Sequence, residues 1–274
     1  SEARLSDALG SLTDAMEALN QSMDQSGSSL TEDLRRITDQ FTAINSLLRS
    51  ASDGNEDPDV VVDISEESLS AASLGKVDDC RNSAKVEGDI NVGGVVGSMA
   101  IEFSFDPEDD IAQEGRASTN FQYLTQAVLT HCVSTGPVTA RKDCVGGVTG
   151  RADLGVILGC ENYGPVESTG GEFVGGVAGA SYSTIRASWA KCDLTGSRHV
   201  GGIAGFASNL SGCGSLVRIL DGTAYLGAVA GETDGEVRNN RFVSDLLGGV
   251  DGISYAGQAE PVSYETLITM EGIP

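Results

Sequence analysis

Between residues 5 and 48 the apolar side chains return at alternating steps of four and three. Leu5, Leu9, Leu12, Met16, Leu19 and Met23 form one series, and Leu30, Leu34, Ile37, Phe41, Ile44 and Leu48 form a second. This spacing keeps one apolar stripe along a helix and is the seam of a coiled coil. Gln25, Ser26, Gly27, Ser28 and Ser29 interrupt it, and Ser29 with Glu32 has the spacing of a capping box. Residues 1–50 are therefore expected to be an α-helical hairpin turning at Gly27, or one long coiled-coil helix whose phase carries through the break. In either form the segment is a spacer or an oligomerisation element. Residues 51–77 read as linker and lead-in, because the run from Ser50 to Asp59 is rich in turn formers and acid.

From residue 78 the pattern changes to short apolar runs cut by glycine. Val-Gly-Gly-Val-Val-Gly at 92–97 returns at 145–150, 174–179 and 200–205, with looser copies at 226–231 and 247–252. The paired glycines of the four clear copies are Gly93 and Gly94, Gly146 and Gly147, Gly175 and Gly176, and Gly201 and Gly202. A cysteine precedes the hexapeptide at a near-constant offset in four copies, as Cys80, Cys132, Cys160 and Cys213. A unit this short cannot enclose its own core, so the copies must stack and bury their apolar side chains jointly. Stacking places equivalent strands about 4.8 Å apart and pairs them in parallel sheets.

The expected fold is mainly β: a right-handed parallel β-helix, or solenoid, over residues 78–257, with about six or seven coils. The first two hexapeptides lie 53 residues apart, near twice the usual period, which suggests a further rung between them. An insertion around 101–123, holding Phe103, Phe105, Phe121 and Tyr123, should project from one coil. Residues 258–274 form a C-terminal cap, with a short helix from Ser263 whose Leu267 and Ile268 cover the last coil. The glycines are assigned to corners that need positive φ and to points where successive backbones cross. The four aligned cysteines should form a buried column of free thiols.

Composition narrows the function. The net charge of −23 repels a polyanion, so nucleic acid is an unlikely partner. No stretch is long and apolar enough to span a membrane. The six cysteines include no C-x-x-C pair, which argues against a zinc or redox site. Asp106, Glu108, Asp109 and Asp110 are weak calcium candidates, and otherwise no cofactor is expected. His131 and His199 read as coil positions. No nucleophile elbow or triad order is present, and no catalytic residue is assigned.

The Cys-x-Asn-x-Gly-x-Val run from Cys160 to Val166 and the Val-Gly-Gly copies resemble the GLUG-type repeats of secreted, adhesin-like surface proteins from Gram-positive gut bacteria of clostridial type. In such proteins the repeat arrays are interrupted by a heptad-rich helical segment. The resemblance implies a cell-surface location outside the cell, as part of a longer chain with other domains, and a protein or glycan partner. It carries over no catalytic residue. Two alternatives stay open: a carbohydrate-active β-helix enzyme of the polysaccharide lyase or hydrolase type, and a calcium-stabilised ligand-binding module.

Overall fold

The computed structural model describes residues 61–67, 69–70, 74–100, 123–253 and 257–269. The chain divides into two units at Val60 and Val61, and the described residues all belong to the second. The expected helical hairpin or coiled coil therefore lies outside the described residues, as do most of the insertion and the four calcium candidates.

The second unit is a parallel β-solenoid. One coil illustrates the path. Strands Val128–Thr130, Val133–Ser134, Val138–Ala140, Val145–Gly146 and Thr149–Ala152 follow one another around the column, and Val156–Leu158 then begins the next coil directly above Val128–Thr130. Two of the sheets so formed contain five parallel strands each, and the solenoid makes about four full turns rather than the six or seven coils expected from the repeats. Two strands, Ala178–Arg186 and Ala204–Ser211, run on through the corner between successive coils and join two ladders into one nine-stranded sheet.

The register follows the repeats. Val92, Val145, Val174, Val200 and Leu226 pair in order, as do Val86, Val138, Val166, Leu194 and Ile219. A third aliphatic column runs Val77, Leu129, Ile157, Ile185, Leu210 and Val237. Most of these side chains belong to one continuous core, and the residues at the ends of the columns are the more exposed ones. Each coil thus contributes one slice of a core that no slice could close alone.

Two expectations need correction. Val92 pairs directly with Val145, so no rung intervenes between the first two hexapeptides. The long interval is an insertion on a coil, and spacing alone could not tell an excursion from a turn. Second, the paired glycines do not sit at positive φ. Among the described residues the positive-φ glycines are Gly75, Gly155, Gly159, Gly212, Gly252 and Gly257, and most left-handed corners carry other residues. The paired glycines serve the other assigned purpose. A β-carbon on Gly94, Gly147 or Gly176 would collide with the Gly147, Gly176 or Gly202 carbonyl of the next coil. On Gly93, Gly146, Gly175 or Gly201 it would strike the carbonyl three residues ahead.

The lead-in also binds the column. Strand Val61–Asp63 pairs in parallel with Tyr123–Thr125. Asp63 Oδ2 accepts from the Gly155 amide at 2.7 Å, and Ser65 Oγ accepts from the Ala127 amide at 2.8 Å. These bonds tie residues ahead of the first coil to corners of two later ones. At the other end helix Tyr264–Ile268 is capped by Ser263, whose hydroxyl accepts from the Thr266 amide. Leu267 is buried as expected, but Ile268 points outward and is 52% exposed. Of the two expected lid residues only Leu267 is buried.

Candidate binding surface

Two columns of left-handed corners organise the outside of the solenoid. The first consists of the residues just before the hexapeptides: Asn91, Cys144, Phe173, His199 and Tyr225, with φ between 50° and 63°. Left-handed backbone costs a non-glycine residue roughly 1–2 kcal/mol. It persists here because bonds to neighbouring coils hold the corner on both sides, as where Cys144 N donates to Glu172 O and Cys144 O accepts from Val92 N. The last glycine of each hexapeptide makes room. A β-carbon on Gly179, Gly205 or Gly231 would meet the backbone of Cys144, of Phe173 and His199, or of His199 and Tyr225.

Because the corners stack, their side chains stack. The Phe173 and His199 rings lie 4.6 Å apart at 17°, and the His199 and Tyr225 rings 4.4 Å apart at 7°. Carboxylates face both imidazole nitrogens: Glu172 Oε2 lies 3.1 Å from Nδ1 and Glu232 Oε2 lies 3.1 Å from Nε2. With both faces and both nitrogens engaged, His199 has no free nitrogen to serve as a general base toward a substrate. The sequence reading of His199 as a coil position agrees with this geometry. His131 occupies a left-handed corner too.

One rung below Glu232, Phe206 sits in the same outward position and its ring lies 5.0 Å from that of Tyr182. Arg151 covers Tyr182 at 5.1 Å and Arg198 covers Tyr225 at 5.2 Å. Tyr182 is 45% exposed, while Phe173, Phe206 and Tyr225 are half-buried. The result is a lateral surface of four aromatic rings around the buried His199 imidazole, bordered by two arginines and two glutamates. Aromatic residues and arginine with a polar border are the composition that binding surfaces favour.

The second corner column precedes the cysteines: Asp79, His131, Gly159, Ala187, Gly212 and Asn239, all at positive φ. The residues that follow explain the thiols. Cys132 Sγ donates to the Thr130 carbonyl at 3.2 Å, Cys160 to Leu158 at 3.6 Å and Cys213 to Ser211 at 3.4 Å. Each thiol bridges the corner from the residue after it to the residue before it. Between Cys160 and Cys213 the column holds Ser188, whose hydroxyl donates to the Arg186 carbonyl at 2.9 Å in the same way. The expected column is therefore present in part: Ser188 interrupts it, Asn240 follows Cys213, and Cys80 at the other end is exposed rather than buried. All six cysteines are free. Burial pushes the Cys213 and Cys192 thiols up to about 12. The hydrogen bond with Cys132, together with burial, raises Cys160 as well.

Glu172 and Asp193 are held by different partners. Glu172 is engaged by His199 and Arg198, and Asp193 takes two bonds of 2.7 Å from the Arg218 guanidinium. Among the described residues no three His, Cys, Asp or Glu side chains converge as a metal site. Among them, too, no helix is long and apolar enough to cross a membrane.

Fold and surface together define the class: a parallel β-solenoid that presents a stacked aromatic column along one side. Compared with known proteins, the chain matches no family, no curated protein and no solved structure.

Proposed function

We propose that this chain is a non-catalytic, adhesin-like module of a larger extracellular cell-surface protein, a stiff spacer that offers its side to a protein or glycan ligand. The carrying observation is the aromatic surface around Phe173, His199 and Tyr225, with Tyr182 and Phe206 beside it and arginine and glutamate at its border. Rings pinned on a rigid ladder lose little conformational freedom when a ligand arrives, which is what a contact surface needs. The GLUG-type resemblance supports a Gram-positive surface location, other domains on the same chain and a helical segment acting as spacer. The preference of parallel crossovers for one hand supports a right-handed winding.

The test is a glycan array and a panel of extracellular host proteins probed with the purified chain, with product detection on every hit. The reading expects binding without turnover, weakened about tenfold or more when Tyr182 and Phe206 are both replaced by alanine. Released product would instead identify a carbohydrate-active enzyme. Melting that rises with calcium and falls with chelator would support the calcium-stabilised alternative.

A further inference from the structure

Trp189 is the chain's one tryptophan. Its two-residue strand Trp189–Ala190 pairs with Glu161–Asn162 on one side and Gly214–Ser215 on the other. Glu161, Trp189, Gly214, Arg241 and Glu260 therefore follow one another along a single column. Their neighbours Asn162, Ala190, Ser215 and Phe242 are buried, which puts this column on the outside.

The indole leans along the column onto Gly214, where a β-carbon would collide with three atoms of the six-membered ring. Only a residue without a side chain lets the ring lie there. Gly214 is buried beneath it, while Trp189 keeps part of its surface in solvent. Among the described residues no ring or cation stacks on this indole. Polar groups stand at both ends. Tyr163 Oη donates to Glu161 Oε2 at 2.8 Å, and burial followed by that bond pushes the phenol up, so it keeps its proton. Arg241 pairs with Glu260 at 3.3 Å.

We propose that this column is a saccharide subsite, in which a neutral pyranose lies on the open side of the Trp189 indole and its hydroxyls meet Glu161 and Arg241. The C–H face of a pyranose brings partial positive charge to the negative face of an aromatic ring. Rungs about 4.8 Å apart place the carboxylate and guanidinium to either side of the ring. The net charge of −23 disfavours an acidic glycan. A peptide strand finds no free edge here, since Trp189 N bonds to Cys160 O and Gly214 N to Ser188 O within the column. The inference rests on the reading of the chain as a ligand-binding surface, but it uses a different ladder from the corner aromatics.

The single tryptophan reports on its own site. Neutral gluco-, galacto- and manno-oligosaccharides are titrated against the intact chain while its emission is followed, with oligouronates as the charged counterpart. A saturable emission change with at least one neutral series is expected, and none with the oligouronates. Trp189→Ala should weaken that binding about tenfold or more by calorimetry. Gly214→Ala, which keeps the tryptophan but unseats its ring, should do the same, with circular dichroism confirming the fold of both. Array binding that leaves the emission unchanged and survives both variants overturns this subsite while the surface reading stands. Emission that responds to a protein ligand but to no saccharide overturns the ligand class. If neither saccharide nor protein binds, both readings fall.

Discussion

Gly147 faces Asn162 across the interior of the column, so closely that a β-carbon on the glycine would occupy the place of the asparagine amide. Asn162 cannot yield cheaply, because its amide donates to Gly164 O at 2.8 Å and accepts from Gly164 N at 3.1 Å. Gly147→Ala must break this turn or push two coils apart, at a cost of about 3 kcal/mol or more. Gly170→Ala is the control, since its β-carbon would come no closer than 3.3 Å to another residue. Thermal unfolding should separate the two variants clearly.

Thiol chemistry should sort the cysteines by coil. Cys80 is exposed, whereas Cys132, Cys144, Cys160 and Cys213 are buried. Alkylation of the native protein should label Cys80 first and leave those four until denaturant is added. Labelling of Cys213 at the rate of Cys80 would contradict the stacked column.

Alkali should weaken the fold through the buried thiols. The Cys213 thiol ionises near 9.0 when unfolded and about 12 when folded. Its contribution is complete below pH 9.0 and is lost as pH rises toward 12, because the unfolded chain then binds fewer protons. The slope reaches about 1.4 kcal/mol per pH unit for one such group. Cys213→Ser keeps a small donor, as Ser188 does in the same column, and removes this titration. The stability gap between wild type and variant should therefore shift in the variant's favour above pH 9.0, as read by denaturant unfolding across that range.

Ala187 holds a left-handed corner at φ 46° between Gly159 and Gly212. Replacing it with glycine relieves roughly 1–2 kcal/mol of backbone strain and returns roughly 0.4–1 kcal/mol through the freer unfolded chain. A net gain of about 0.5 kcal/mol should appear as a small rise in melting temperature. A fall would mean that the corner is not strained.

The stacked architecture was legible because every coil repeats one steric demand. Val-Gly-Gly at the same place in each unit gave the register, and Cys132 and Cys160 gave a second fixed point. Less was legible at the corners. Positive φ was assigned to glycine, yet Asn91, Phe173, His199 and Tyr225 take it, because bonds from two neighbouring coils outweigh a local preference. The available signal was the residue before each hexapeptide. Ser188 was missed because a search for cysteine overlooks a hydroxyl that makes the same bond. The seat of Trp189 on Gly214 links residues of adjacent coils, and it emerges only once the rungs are aligned.

The corner before the first five hexapeptides accepts an amide, a thiol, a benzene ring, an imidazole or a phenol on one backbone shape. The identity of that residue is consequently uncoupled from the path of the chain. Where the corner residue reaches solvent, as at Asn91, Phe173 and Tyr225, exchanges rewrite what solvent meets and leave the frame in place, so the outer face can diversify letter by letter while the inner columns stay constant.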